Sequence, residues 1–477
     1  MVKDDAIQFL QRSQALSYDR LLNYVQDGQG TEYPQRWIFV KLKKYLDRFI
    51  AGETENRWIT IPGFRGVGKT TILAQMYFHL LRSEKVPREN VFYFSMDAGT
   101  IFFEVNLKDI IPALEVLFGT DMESLGEKVF LFIDEIHYDP TWAAALKSIY
   151  DRTRNIFVIA TGSSALALQT STDAARRTQI EKMMPLNFPE YIMLKERVYP
   201  AKGLKEGLGA ALFSSDSSDA AYSMLEKWHP AYLKYWTKVR PMEEQRYLRM
   251  GSMPFALKLD EKEAFERSLQ ILEKVIYGDI PNIYPFKKET LDKVWRMLIL
   301  LSTAEKTNYE TLAQNLSISK DTVSNLINSL IKAEILFPVK PFGSTEKIVR
   351  KSWKFGFVSP AVKSSLMWSV GKLTQDSKTY GSLLENLVAF YLYRMKITRR
   401  SFDIFYDPEK GGVDFILKDL DTGCGIPIEV GYGKKDPAQV KRAVERYDAR
   451  YGLLVSGRGL DRIGDVITVP KRMFYLL

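Results

Sequence analysis

Apolar positions along this chain follow two rhythms, and the switches between them predict its elements. Residues 1–57 carry helical spacing, as in Phe39, Leu42, Tyr45, Leu46 and Phe49, which stops at the charged turn AGETENR. Four short apolar runs follow: WITIP at 58–62, VFYFS at 91–95, VFLFI at 129–133 and IFVIAT at 156–161. Helix-like stretches separate them, one expected from Thr70 to Arg82. Strands apolar on both faces and alternating with helices predict a parallel sheet covered on both sides.

From about 196 to 285 the rhythm is helical, broken by the loop SSDSSD and by GSMP at 251–254. This segment is expected to be a helical lid or connecting bundle. Residues 286–350 predict a small helical unit, and the tail from 378 returns to mixed helix and strand. The expected division is 1–195, 196–285, 286–350 and 351–477. A length of 477 residues, 46% of them hydrophobic, suits several packed units, and no fixed-period repeat suggests a solenoid.

Composition narrows the chemistry. Apolar runs such as Val129 to Ile133 fall far short of the roughly 18 residues of a spanning helix, and MVKDDAIQFL lacks a secretory pattern, so no membrane partner and a cytoplasmic location are expected. A single cysteine, Cys424, and three scattered histidines exclude a disulfide framework and a Cys-rich zinc site. The formal charge of +9 favours a phosphate-rich partner such as DNA, though an excess this small is also common in proteins that bind none.

The glycine-rich segment GFRGVGKT follows the first predicted strand and opens a helix, the context in which G-x-x-x-x-G-K-[ST] cradles phosphates. Gly63, Phe64, Arg65, Gly66, Val67, Gly68, Lys69, Thr70 and Thr71 are the candidate ATP-binding residues. Backbone N–H groups and the helix N-terminus would surround the phosphates, Lys69 would reach the β and γ groups, and the Thr70 hydroxyl would ligate Mg2+. VFLFIDEIH delivers Asp134 to a strand end as a second magnesium ligand, with Glu135 as the base orienting the attacking water. The next strand ends in IATGSSA, where Thr161, Ser163 or Ser164 would sense the γ-phosphate or the water, or else form a Ser-rich turn capping the following helix. Arg176 or Arg177 would serve as an arginine finger, in cis or toward a neighbouring subunit of a homo-oligomer.

Together, LFIDEIHYDPTWAAALKSIYD, the ATGSSA strand end and RRTQIEKMMPLNFPEY resemble an AAA+ ATPase family of archaea and bacteria fused to a C-terminal restriction-endonuclease-like domain. The resemblance covers most of the chain. It implies an α/β fold: a parallel-sheet P-loop domain with a helical lid, then a winged helix and an α/β endonuclease-like domain. In related signalling ATPases a Gly-x-Pro element of the lid touches nucleotide, and Gly251 with Pro254 resembles a variant longer by one residue.

YETLAQNLSISKDTVSNLINSLIKAEILFPV has helix–turn–helix rhythm, with Ser319 placed to cap the second helix and Lys320, Ser324, Asn325 and Asn328 on its outward face. Such a unit meets DNA or serves for packing. In the tail, Glu385, Asp414 and Glu429 stand where endonuclease-like folds gather metal-binding carboxylates. The lysine expected two residues after Glu429 is replaced by Gly431, leaving Lys434 or Lys435 to fold back in its stead. The expected function is magnesium-dependent ATP hydrolysis coupled to DNA binding or remodelling. The alternatives are an ATP/ADP switch acting on protein partners and an ATP-gated nuclease.

Overall fold

The computed structural model describes residues 4–162, 176–304, 308–346, 353–433 and 435–477; Ser163, Ser164 and Lys434 lie outside them. The chain forms two compact units, Met1–Met184 and Pro185–Leu477. The helix Phe188–Glu196 therefore belongs with the second unit, and the segments expected as lid, winged helix and tail all fall within that unit.

In the first unit, helices α1 (Asp4–Val25) and α2 (Trp37–Ile50) precede β1 (Trp58–Pro62) and α3 (Lys69–Arg82). Then come β2 (Val91–Ser95), α4 (Met96–Phe102), α5 (Leu107–Phe118), β3 (Val129–Asp134), α6 (Trp142–Arg152), β4 (Ile156–Gly162) and β5 (Gln179–Ile180). The strands pair in parallel in the order β2-β3-β4-β1-β5. Every residue of β1 to β4 is buried, which is why these strands read as unbroken apolar runs. On one face, Phe9 and Leu10 of α1 join Phe94, Leu131, Ile110 and Leu146 in a single core, where each such side chain contributes about 1.5–3 kcal/mol. Register aligns Ser95 with Asp134, Ile133 with Ala160 and Pro62 with Gly162, so the chemistry-bearing strand ends share one edge.

The second unit opens with helices Phe188–Glu196, Leu204–Phe213, Ser218–Trp236 and Glu261–Lys274. Helices Lys288–Thr303, Tyr309–Leu316 and Lys320–Lys332 follow, the last capped by Ser319 through the Thr322 N–H at 3.1 Å. Next are β6 (Leu336–Pro341) and β7 (Lys354–Phe357), an antiparallel pair, so a boundary at 350 cuts between paired strands. Helices Pro360–Ser369 and Ser377–Arg399 lead to β8 (Phe402–Tyr406), β9 (Phe415–Asp419), β10 (Gly425–Val430), the helix Ala438–Tyr447 and β11 (Gly452–Ser456). Two strands not anticipated from the sequence, β12 (Asp461–Ile463) and β13 (Val466–Pro470), extend the sheet beyond β11. Its order is β12-β13-β11-β10-β9-β8-β6-β7, because β6 also pairs in parallel with β8.

Candidate functional site

The loop between β1 and α3 is built around left-handed backbone. Gly66 and Gly68 have φ of 86° and 97°, a region open to glycine and strained for other residues. Gly63 serves a different purpose, since a Cβ there would collide with the Met183 carbonyl. Phe64 and Val67 are buried, and the Val67 N–H donates to the Phe64 carbonyl at 3.4 Å. The Lys69 ammonium, only 5% exposed, donates to the carbonyls of Gly63 (2.8 Å) and Phe64 (3.3 Å). Thr70 and Thr71 follow it in the first turn of α3. Arg36, which lies in no motif, braces the loop: its guanidinium donates to Val67 O and Met184 O, each at 2.8 Å.

Asp134 sits at the end of β3, 4% exposed, and is saturated with donors. Its Oδ2 accepts from the Thr70 hydroxyl at 2.6 Å and the Tyr93 hydroxyl at 3.3 Å, and its Oδ1 from the Thr161 hydroxyl and the Glu135 N–H at 3.1 Å. Burial, reinforced by Asp134, raises the Tyr93 phenol pKa, so Tyr93 remains a donor. The buried Thr161 hydroxyl also accepts from the Glu135 N–H at 3.3 Å, joining both acidic residues. Glu135 is left-handed at φ 49°, a conformation non-glycine residues hold only when their surroundings impose it, and its Oε2 lies 3.3 Å from His137 Nδ1. Burial, with the Lys69 and Arg65 charges, lowers the His137 pKa to about 4, so the ring is neutral at neutral pH. A hydroxyl and a buried carboxylate bonded to each other are hard oxygen donors of the kind magnesium takes, so Thr70 and Asp134 fit that ion.

Other candidates are placed differently. Arg177 is held by Asp151 of α6 at 2.9 Å, whereas Arg176 is exposed. Gly251 and Pro254 belong to the second unit, where a Cβ on Gly251 would stand 2.9 Å from the Tyr191 ring and Pro254 begins the short turn Pro254–Leu257. On the helix Lys320–Lys332, Lys320 pairs with Glu310 at 2.6 Å, Asn328 is exposed, and Ser324 and Asn325 are half-buried.

In the second unit Asp414 and Glu429 are brought together by backbone bonds. The Asp414 N–H donates to Glu429 Oε2 at 3.0 Å, and the Val430 N–H to Asp414 Oδ2 at 2.9 Å. Gln439 adds a bond to Glu429 Oε2 at 3.1 Å. Burial, then the like charges of Glu385 and Glu429, pushes Asp414 up to about 7. Lys435 folds back as one of the two expected alternatives: its Nζ contacts Glu429 Oε1 and donates to Val430 O at 3.0 Å. A Cβ on Gly431 would lie 2.9 Å from Lys435 Cδ, so the glycine leaves room for the lysine stem. Glu385 lies 3.8 Å from Lys354. Asp414 and Glu429 offer oxygens of the kind a hard cation takes, while Glu385 does not bring a third carboxylate oxygen close enough to complete a three-carboxylate cluster.

The fold and phosphate loop of the first unit define a class, and a model described as an AAA domain matches residues 55–192. The chain thus carries an AAA-type P-loop ATPase domain. A second match, to a domain of unknown function (DUF8612), covers residues 243–373. The Methanocaldococcus jannaschii protein MJ1637 is 38% identical over 446 residues, 93% of this chain and 89% of that protein, and the chain belongs to its family. MJ1544 of the same organism is 22% identical over 369 residues, 76% of this chain and 72% of that one. Among solved structures, the Walker-type ATPase Paby2304 of Pyrococcus abyssi aligns with 70% of this chain and 95% of its own, at 14% identity and a TM-score of 0.39.

Proposed function

We propose that the first unit hydrolyses ATP with magnesium and that the second couples this hydrolysis to DNA. The observation that carries the first part is Asp134, buried at a strand end and bonded at once to Thr70 of the phosphate loop and to Thr161 of the next strand. Lys69 would exchange its bonds to the Gly63 and Phe64 carbonyls for the β and γ phosphates. Thr70 and Asp134 would hold magnesium, which when bound supplies positive charge to the phosphate oxygens. Glu135, fixed by its own N–H bonds to Asp134 and Thr161, would orient the water and accept its proton. Phosphate release from ATP should require magnesium and disappear in Lys69→Ala and Glu135→Gln. Release unaffected by both substitutions would sink the assignment.

Coupling to DNA is supported by the charge of +9 and by the succession of three helices and a paired β6 and β7, which suits a winged helix. Lys320 already has Glu310 as a partner, so its helix offers DNA little uncompensated charge. A second reading, a nuclease centre in the tail, is favoured by Lys435, which reaches Glu429 despite Gly431. Asp414 and Glu429 would then hold a divalent cation beside a phosphodiester, and Lys435 would stabilise the developing anion. Manganese-dependent cutting of plasmid DNA that survives Asp414→Ala would refute this assignment.

A further inference from the structure

The second unit contains a cavity of about 610 Å³, lined by β7 and by the helices Pro360–Ser369 and Ser377–Arg399. That volume lies within the ~300–1,000 Å³ typical of small-ligand sites. Its wall includes Lys363, which is only 9% exposed. Lys363 Nζ donates to the Ser382 hydroxyl at 2.7 Å and the Ser382 carbonyl at 3.1 Å, leaving one of its three protons for another acceptor. The carboxylate whose charge reaches it is Glu385, which itself lies 3.8 Å from Lys354. Burying an ammonium is unfavourable, and burial lowers its pKa to about 8 even though the Glu385 charge acts to raise it.

The remaining charge on the lining has the same sign. Lys354, Lys363, Lys372 and Lys378 line it with Asp376 and Glu385, an excess of two cations, with Lys372 and Lys378 exposed at its rim and Lys378 also engaged with a neighbour. Asp376 is occupied in capping its helix, accepting from the Thr379 N–H and the Thr374 hydroxyl at 2.7 Å each, and Glu385 lies 3.8 Å from Lys354. The cavity therefore complements a dianion. A phosphodiester carries a single negative charge, whereas a phosphomonoester carries about −1.5 to −2 at neutral pH. Glu385, and Phe415 next to Asp414, line the same cavity, which places it against the carboxylate centre.

We propose that this cavity binds a phosphomonoester, gripped by Lys363 and the Ser382 hydroxyl and presented as the terminal phosphate of a nucleic-acid strand or as a free nucleotide. The site goes beyond the nuclease reading and does not depend on it, because binding requires no cleavage by Asp414 or Glu429.

The test uses the full chain without divalent metal. Two 3′-labelled single-stranded oligonucleotides, identical except for a 5′-phosphate or a 5′-hydroxyl, are titrated by fluorescence anisotropy, and dCMP by calorimetry. Expected is a preference of at least about tenfold for the phosphorylated strand, or measurable dCMP binding, either one lost in Lys363→Met and partly retained in Lys363→Arg. Strand preference without dCMP binding identifies the strand end as the source, and dCMP binding without strand preference identifies the nucleotide. Should Lys363→Met fail to fold, Ser382→Ala removes the hydroxyl of the same grip and should show the same loss. Absence of both effects, or their persistence in these variants, overturns the proposal. Plasmid cutting is read separately, so either idea can fail alone.

Discussion

Thr161→Val removes a hydroxyl while preserving shape, at a buried position where that hydroxyl donates to Asp134 and accepts from the Glu135 N–H at 3.3 Å. A hydrogen bond to a charged group contributes about 1.5–3 kcal/mol and a neutral one about 0.5–1.5 kcal/mol, for a combined loss of about 2–4 kcal/mol. For a unit of this size, roughly 2–4 °C per kcal/mol translates into a melting temperature lower by about 5–15 °C. The larger consequence is kinetic. Glu135 holds its left-handed backbone partly through this contact, and misplacing a reacting group by about 1 Å costs on the order of a hundredfold in rate. The expected result is kcat reduced about a hundredfold, with ATP affinity changed less than about threefold, because the phosphate loop is untouched. Thr161→Ser, which keeps the hydroxyl, should recover most of the rate. Steady-state hydrolysis and fluorescent-nucleotide titration measure the two quantities. A valine variant with the parent kcat, or one whose affinity falls in step with kcat, would refute the positioning role.

Arg36→Leu strips two charge-assisted bonds from Val67 O and Met184 O, and nucleotide titration should show ATP affinity down about tenfold. Arg36→Lys should not restore it, since an ammonium lacks the planar fork that spans two carbonyls. Asp414, raised to about 7, costs no stability below its ordinary pKa near 3.8 and an increasing amount as pH rises from there to about 7, beyond which the cost levels off. Asp414→Asn should therefore raise the melting temperature most at about pH 8.5, roughly half as much at about pH 5.5 and hardly at all below about pH 4, and scanning calorimetry showing the opposite trend would exclude it. If the tail cuts DNA, Lys435→Met should slow manganese-dependent cutting about a hundredfold, and an unchanged rate would leave Lys435 a purely structural role.

Elements whose burial is total were readable in advance. WITIP, VFYFS and VFLFI became β1, β2 and nearly all of β3, because strands covered on both faces admit only apolar residues. The loop after β1 and its contact with Asp134 were legible in placement for a related reason: fixed spacing sets which residues meet at the strand ends. Strand order was not, since β4 sits between β3 and β1 through long-range pairing that no local pattern encodes. β5 escaped because its residues, Gln179 and Ile180, form no apolar run. Arg36 and Tyr93 reach the site from a helix entrance and a neighbouring strand, with nothing in their local sequence to mark them. Lys435 could be named only as one of two alternatives, because its approach to Glu429 depends on its stem packing over Gly431, which local sequence does not encode. The pairing of β6 with both β7 and β8 hid a shared sheet behind what reads as two separate segments.

The most direct measurement is the rate of ATP hydrolysis by the full chain with magnesium, alone and with single-stranded, duplex or branched DNA, using Lys69→Ala and Glu135→Gln as controls. DNA should raise a rate that both substitutions abolish. Hydrolysis that depends on Lys69 and Glu135 yet ignores every DNA would contradict the coupling and leave a nucleotide-controlled switch acting on protein partners.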